Sequence, residues 1–311
     1  MDQKPLKLEE RGLSFDGKVL YPFINGAYRL VPEKNYTDSF GFQWNKFPKT
    51  QIDRFSKQLE QSSERFWKET GWAKKDLEGK NVLEVGSGAG RFTQILLEES
   101  GANIYSVDYS SAVEANYKNN GPNNRLKLFQ ASVYELPFEE KQFDYVLCLG
   151  VLQHTPDFEK SVECLAKMVK PGGEIAIDFY EQRGWYTKIH SKYIFRPITK
   201  RLDHKSLLRM IEKNANWLIR LYKFLYSFHI GFMTRFIPIC DIRNTLPSDI
   251  EGETLKEWVI LDTFDMLSPA HDHPQSISRV KGWLSKLMRV NFAGHVFLNS
   301  GQAAVIRATG M

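Results

Sequence analysis

Between residues 81 and 179 short runs of β-branched and apolar residues alternate with longer amphipathic stretches. That alternation is the pattern of βαβ units feeding a parallel sheet. It predicts strands at 81–85, 103–107, 126–130, 143–149 and 173–179. Helices are predicted between them at 90–99, 111–119 and 158–169, the last stopped by the KPGG that ends at Gly173. After Ser276 an amphipathic ISRVKGWLSKLMR precedes two strand-like runs, HVFLNS and QAAVIRAT. The short turn at Gly301 and Gln302 predicts an antiparallel pair at the sheet edge.

The flanking pattern differs. FDGKVLYPFINGAYRLVPE, punctuated by Gly17, Gly26 and Pro32, reads as a small β-rich unit, followed by a helix at about 50–70. Residues 181–250 have no place in a minimal βαβ pattern and read as two or three inserted helices. The expected division is therefore an N-terminal β unit and linker at 1–48, a core at 49–180, a basic helical insertion at 181–250 and the rest of the core at 251–311.

Composition adds few constraints. A chain of 311 residues can bury one large core with additions, and its formal charge of +5 does not by itself call for nucleic acid. Cys148, Cys164 and Cys240 are odd in number and lack C-x-x-C spacing, which points to a reducing compartment and no zinc site. The first twenty residues are charged and lack the apolar stretch of a signal peptide, so a cytoplasmic location is expected.

The loop after the first core strand, EVGSGAGRF, places Gly86, Gly88 and Gly90 in a G-x-G-x-G pattern. A nicotinamide dinucleotide site wants its third glycine where Arg91 stands, so the spacing counts against that ligand. Asp108, ending the next strand, has two oxygens for the two hydroxyls of a ribose, a feature common to many nucleosides.

VLEVGSGAGRFT, VDYS, ASVYELPF, FDYVLCLGVLQHTPD and LAKMVKPGGEIAIDF follow one another in an order and spacing that resembles the class I S-adenosylmethionine-dependent methyltransferases. The resemblance implies a Rossmann-like α/β fold: a seven-stranded, mostly parallel twisted sheet with an antiparallel last strand. It implies S-adenosylmethionine as cofactor, with Glu84, Gly86, Gly88 and Gly90 at its methionine end, Asp108 on the ribose, Ser132 and Val133 at the adenine and Leu149 near the sulfonium. Ser132 stands where the family often has an acidic residue, and a hydroxyl can also accept from the adenine amino group. Other stretches, SFGFQWNKFPKTQID and LDTFDMLSP, resemble bacterial methyltransferases of sugars, glycans and secondary metabolites. In such proteins the N-terminal unit often resembles a zinc ribbon; here its cysteines are missing, which implies a metal-free version.

Methyl transfer needs alignment above all, and positioning can supply roughly 7–11 kcal/mol of a barrier. A hydroxyl acceptor also needs a base. The candidates are His154, Asp178, Asp262, Asp265, His271, Asp272 and His273, of which His154 resembles a family histidine near the reacting centre. HDHP could pair metal ligands, but an extended turn before Pro274 accounts for it, and no metal is expected. Tyr36, Phe40, Phe42 and Trp44 either cover the sulfonium or form a packing seam.

Residues 182–235 carry twelve Lys or Arg against Asp203 and Glu212, a local +10, interleaved with Trp217, Phe224, Phe228, Phe232 and other large apolar groups. This is a lid with a solvated basic face, a surface for an anionic acceptor, or a peripheral membrane contact. Nucleic acid is not expected, since no such module is apparent. The expected function is methyl transfer to an oxygen, less readily a nitrogen, of a small molecule, sugar or glycan precursor; the alternative is a lipid or quinone methyltransferase at the membrane surface, and a third reading is a cofactor-binding scaffold without a base.

Overall fold

The computed structural model describes residues 7–9, 12–15, 18–32, 35–55 and 60–311. Eleven strands among them form one sheet: β1 Lys7–Glu9, β2 Gly12–Phe15, β3 Lys18–Ile24, β4 Ala27–Arg29, β5 Asn81–Val85, β6 Asn103–Asp108, β7 Leu126–Gln130, β8 Phe143–Cys148, β9 Val169–Phe179, β10 Met288–Leu298 and β11 Gly301–Gly310. Their order is β1-β2-β3-β4-β7-β6-β5-β8-β9-β11-β10.

Strands β5 to β9 pair in parallel, and β11 runs antiparallel to both β9 and β10. The seven strands β5 to β11 make the expected Rossmann-like sheet. The N-terminal strands lengthen it to eleven, because β4 joins β7 in parallel with Ala27 opposite Leu128. A free β7 edge would expose a row of unpaired backbone groups, and β4 satisfies them. Gly17 lies outside the described residues.

Among the described residues ten helices accompany the sheet: α1 Asp38–Lys46, α2 Gln61–Thr70, α3 Arg91–Glu99, α4 Val113–Asn120, α5 Phe158–Lys167, α6 Ser191–Thr199, α7 His204–Ser227, α8 Ile242–Thr245, α9 Gly252–Leu267 and α10 Ile277–Leu284. Helices cover both faces, so the central strands are apolar on both sides, as β5 is from Val82 to Val85. One face packs Leu83, Val146 and Ile177 against Leu165 and Val280; the other packs Val82 and Leu147 against Phe66, Ile95 and Leu96.

Four expectations change. The helix expected at 50–70 is confined to α2, preceded by a 3-10 turn at Asp53–Phe55, while residues 56–59 lie outside the described part. Helix α1 forms in a stretch read as connection. KPGG lies inside β9, opposite a register shift in β8. The insertion extends past 250: it leaves the sheet at Glu181 and returns at Gln275, where the two form a parallel bridge. Between them α9 packs on α7 and α6, so this long helix belongs to the cover rather than to the returning core.

Candidate functional site

The strand order reverses at β5, with β6 on one side and β8 on the other, and the crevice beyond their carboxyl ends is where open α/β sheets bind ligands. Here it is a cavity of about 740 Å³, walled by the loops after β5, β6, β8 and β9 and roofed by α1, α2 and the inserted helices.

Its floor is the glycine turn. Gly86 has φ +83°, and a Cβ there would meet Val151 at 2.1 Å; Gly88 has φ +53°, and a Cβ would lie 3.0 Å from the Trp44 indole nitrogen. Both positions favour glycine by conformation and by space. Gly88 donates its N–H to the Asp108 carboxylate at 2.8 Å, and the other Asp108 oxygen accepts from the Ser110 backbone and hydroxyl at 2.8 and 2.6 Å. Burial raises the Asp108 pKa against these bonds, which favour the charged form.

The sequence-derived cofactor residues divide. Gly86, Gly88, Asp108, Val133 and Leu149 line the cavity. Gly90 instead caps α3 against Asn116 and Asn120. Glu84 lies beneath the turn, accepting from the hydroxyls of Thr93 and Ser106, with its carboxyl raised to about 7 by burial. Ser132 does not line the cavity: its hydroxyl accepts the Tyr134 N–H at 3.2 Å, so a local turn occupies the group expected at an adenine.

Several lining residues carried no distinctive sequence signal. The Arg91 guanidinium donates to Ser62 and Gln51, yet its buried Nη2 has no protein partner. Burial, then repulsion from Arg65, lowers its pKa to about 10. Unpartnered buried atoms also belong to Gln43, Gln61, Glu69 and Ser87, all on this cavity. Orphaned polar groups gathered around one glycine turn suit a ligand that is itself polar and charged. Helix α1, which carries Gln43, lies 40 or so residues before the glycine motif and α2, which carries Gln61 and Glu69, about 16 to 25, and only the fold brings them there.

The base candidates also divide. His154 is 5% exposed and held by a ring contact with Phe40 at 5.0 Å and an edge contact with Tyr180 at 5.6 Å. Its Nδ1 lies 3.0 Å from the His271 carbonyl. A carbonyl can only accept, so Nδ1 carries the proton and Nε2 keeps its lone pair. Burial lowers the His154 pKa, which keeps the ring neutral. His271 therefore contributes its backbone; its ring stays outside the lining and packs on Tyr36 and His273. Asp178 reaches the cavity but both oxygens are committed, one to Arg65 and one to the Gly150 N–H. Asp272 is tied to Lys192 at 3.0 Å and to Arg196; burial would raise its carboxyl, but the two cations hold it at about 2. His273 donates its N–H to the Gln153 carbonyl.

Asp262 and Asp265, one turn apart on α9, face the cavity. Burial, with Asp265 next, raises Asp262 to about 8. The aromatic set splits by helical spacing: Tyr36, Phe40 and Trp44 line the cavity, while Phe42 packs on Phe264 at 5.6 Å.

Comparison with known proteins assigns residues 83–177 to the family described as "Methyltransferase domain". The chain is 30% identical over 142 residues to a ubiquinone biosynthesis O-methyltransferase of Coxiella burnetii, covering 44% of this chain and 60% of that protein. It is 32% identical over 107 residues to phosphoethanolamine N-methyltransferase 2 of Caenorhabditis elegans, covering 33% and 24% respectively. The N-methyltransferase NodS of Bradyrhizobium japonicum, solved with S-adenosyl-L-homocysteine, superposes with a TM-score of 0.47 at 11% identity, covering 88% of this chain and 98% of that one. The chain thus spans about three fifths of the Coxiella relative's length.

Proposed function

We propose that the whole chain, whose residues 83–177 match a methyltransferase domain, is a class I S-adenosylmethionine-dependent enzyme that methylates the hydroxyl oxygen of a small polar acceptor, a sugar or glycan precursor, held under the inserted helices. Gly86 and Gly88 would hold the cofactor's methionine end, Arg91 Nη2 its carboxylate, and the lone pairs of Asp108 left over from Gly88 and Ser110 its ribose. Tyr109, Ala131 and Val133, which line the cavity, would flank the adenine, and Leu149 would lie by the sulfonium. The orphaned atoms of Arg91, Gln61 and Ser87 support this fit. Bound there, S-adenosylmethionine supplies a methyl group on a positively charged sulfur.

The observation that carries the oxygen assignment is His154. Its ring is held in the tautomer whose Nε2 can take a proton, and it shares a cavity with the glycine turn. Nε2 accepts the acceptor's hydroxyl proton, and Nδ1–H on the His271 carbonyl steadies the ring as it becomes charged. Tyr180, Lys192, Arg196, Asp262 and Asp265 make the neighbouring wall polar, which suits a hydroxylated acceptor. A second reading, an amine acceptor, rests on the paired carboxylates of Asp262 and Asp265, which would receive a cation.

The test uses methyl-labelled S-adenosylmethionine with fractionated extract of the source organism, comparing wild type with His154→Ala. Label in a water-soluble hydroxylated fraction, lost in the variant, supports the proposal. Label placed on nitrogen, or turnover unchanged in His154→Ala, overturns the oxygen assignment.

A further inference from the structure

We infer that the outer face of α7 docks the protein onto a membrane surface rich in anionic lipid. The inference rests on this helix's surface and is independent of the acceptor assigned above. Helix α7 has two apolar faces. Leu207, Leu208, Ile211, Ala215, Leu218, Ile219 and Tyr222 are buried beneath it. On the other side Met210, Trp217 and Phe224, spaced by seven residues, are 44%, 61% and 52% exposed, and Phe228 follows one turn later at 62%. At 100° per residue these four fall within about 40° of one another, so they form one stripe. A soluble helix ordinarily presents polar residues there.

The neighbours of the stripe identify the partner. Arg209, Lys213, Arg220 and Lys223, all exposed, project along one flank of it. That flank borders a recess of about 270 Å³ lined by Arg220, Lys223 and Lys256. A second copy of this chain would bring cations against cations, since residues 182–235 carry twelve basic and two acidic side chains. An anionic bilayer surface offers apolar depth for Trp217 and Phe224 and phosphates for the flank. Among the described residues no helix is long and apolar enough to cross a membrane, so α7 would lie in the interfacial plane. The inserted segment that carries this surface also walls the cavity through Tyr186, His190 and Arg235, which places the acceptor chamber next to the docked face.

Co-sedimentation of the full chain with phosphatidylcholine vesicles, and with vesicles containing phosphatidylglycerol, tests this. Binding is expected to the anionic vesicles alone, and to weaken as salt rises. Arg209→Glu/Lys213→Glu/Arg220→Glu should lower the partition at least about a hundredfold, each cation near an anionic surface contributing roughly fivefold. Trp217→Ser/Phe224→Ser should abolish binding while retaining affinity for S-adenosylhomocysteine, which shows that the variant folds. Failure of the wild type to bind, or equal binding by both variants, overturns the inference. So does a dimer in light scattering that Trp217→Ser dissolves, since the stripe would then belong to a second copy.

Discussion

In the proposed reaction His154 acts through its free ring nitrogen, and the His271 carbonyl determines which nitrogen that is. His154→Ala should reduce turnover by roughly 10²–10⁴-fold, the usual contribution of general base catalysis. Affinity for S-adenosylhomocysteine by calorimetry should stay as in wild type. The pH dependence follows from burial. The pKa is lowered from 6.5, so the acid limb of kcat/KM should fall below pH 6.5. The unfolded chain binds this proton more readily, so the stability contributed by neutral His154 is complete above 6.5 and is lost as pH falls toward the folded value. Asp108→Ala removes the partner of the Gly88 N–H and the proposed ribose ligand. It should weaken cofactor binding by about 1.5–3 kcal/mol, and unchanged calorimetric affinity would remove the residue from the site. The glycine spacing made Gly86, Gly88 and Asp108 legible in the sequence, because a strand, a tight turn and a second strand position them locally. The partners of Asp178 and His271 were not legible for a complementary reason. The Arg65 that occupies Asp178 lies 113 residues earlier, and the use of the His271 backbone instead of its ring depends on a contact with no sequence signature.

At the scale of elements, the two cations of α6 share one carboxylate, while Arg196 and Thr199 also donate to the Met266 and Leu267 carbonyls of α9. Asp272 is 2% exposed on its side chain and neutralises Lys192 at 17% and Arg196 at 8%. Asp272→Asn leaves those cations buried without an anion, and breaking a buried pair in this way costs about 3–5 kcal/mol. A denaturant series should show that loss at neutral pH. The difference from wild type should shrink in acid, because a carboxyl depressed from 3.8 to about 2 stabilises the fold fully above 3.8 and ceases to do so as pH falls through 2. A stability equal to wild type at pH 7 would mean that α6 does not depend on this pair. Strand periods were read well because the central strands are apolar on both faces. Helix α1 was missed because Gly41, Gln43 and Asn45 dilute its pattern, and because its apolar residues serve two surfaces: Phe40 and Trp44 face the cavity, with Tyr36 just before the helix, and Phe42 faces α9.

For the whole molecule, the cavity is a joint between the sheet and its cover. The sheet supplies the floor, and α1, α2 and the inserted helices supply the roof, with α1 packed on α9. The floor is held by the parallel ladder and by core on both faces, whereas the roof closes over groups that lack protein partners, among them Gln43, Gln61 and Arg91. Ligand binding should therefore stabilise the two parts unequally. S-adenosylhomocysteine at a hundred times its dissociation constant adds about 2.7 kcal/mol to the folded state. Hydrogen exchange should slow most in α1, α2 and the turn at Gly86 to Gly90, where local opening exposes the ligand, and least in the central strands β8 and β9, whose buried core positions belong to the class of segment that opens near the global limit. Protection confined to the sheet, with α1 and α2 exchanging as fast as before, would mean that the roof does not close on the cofactor and would reassign Arg91 and its unpartnered neighbours to another role.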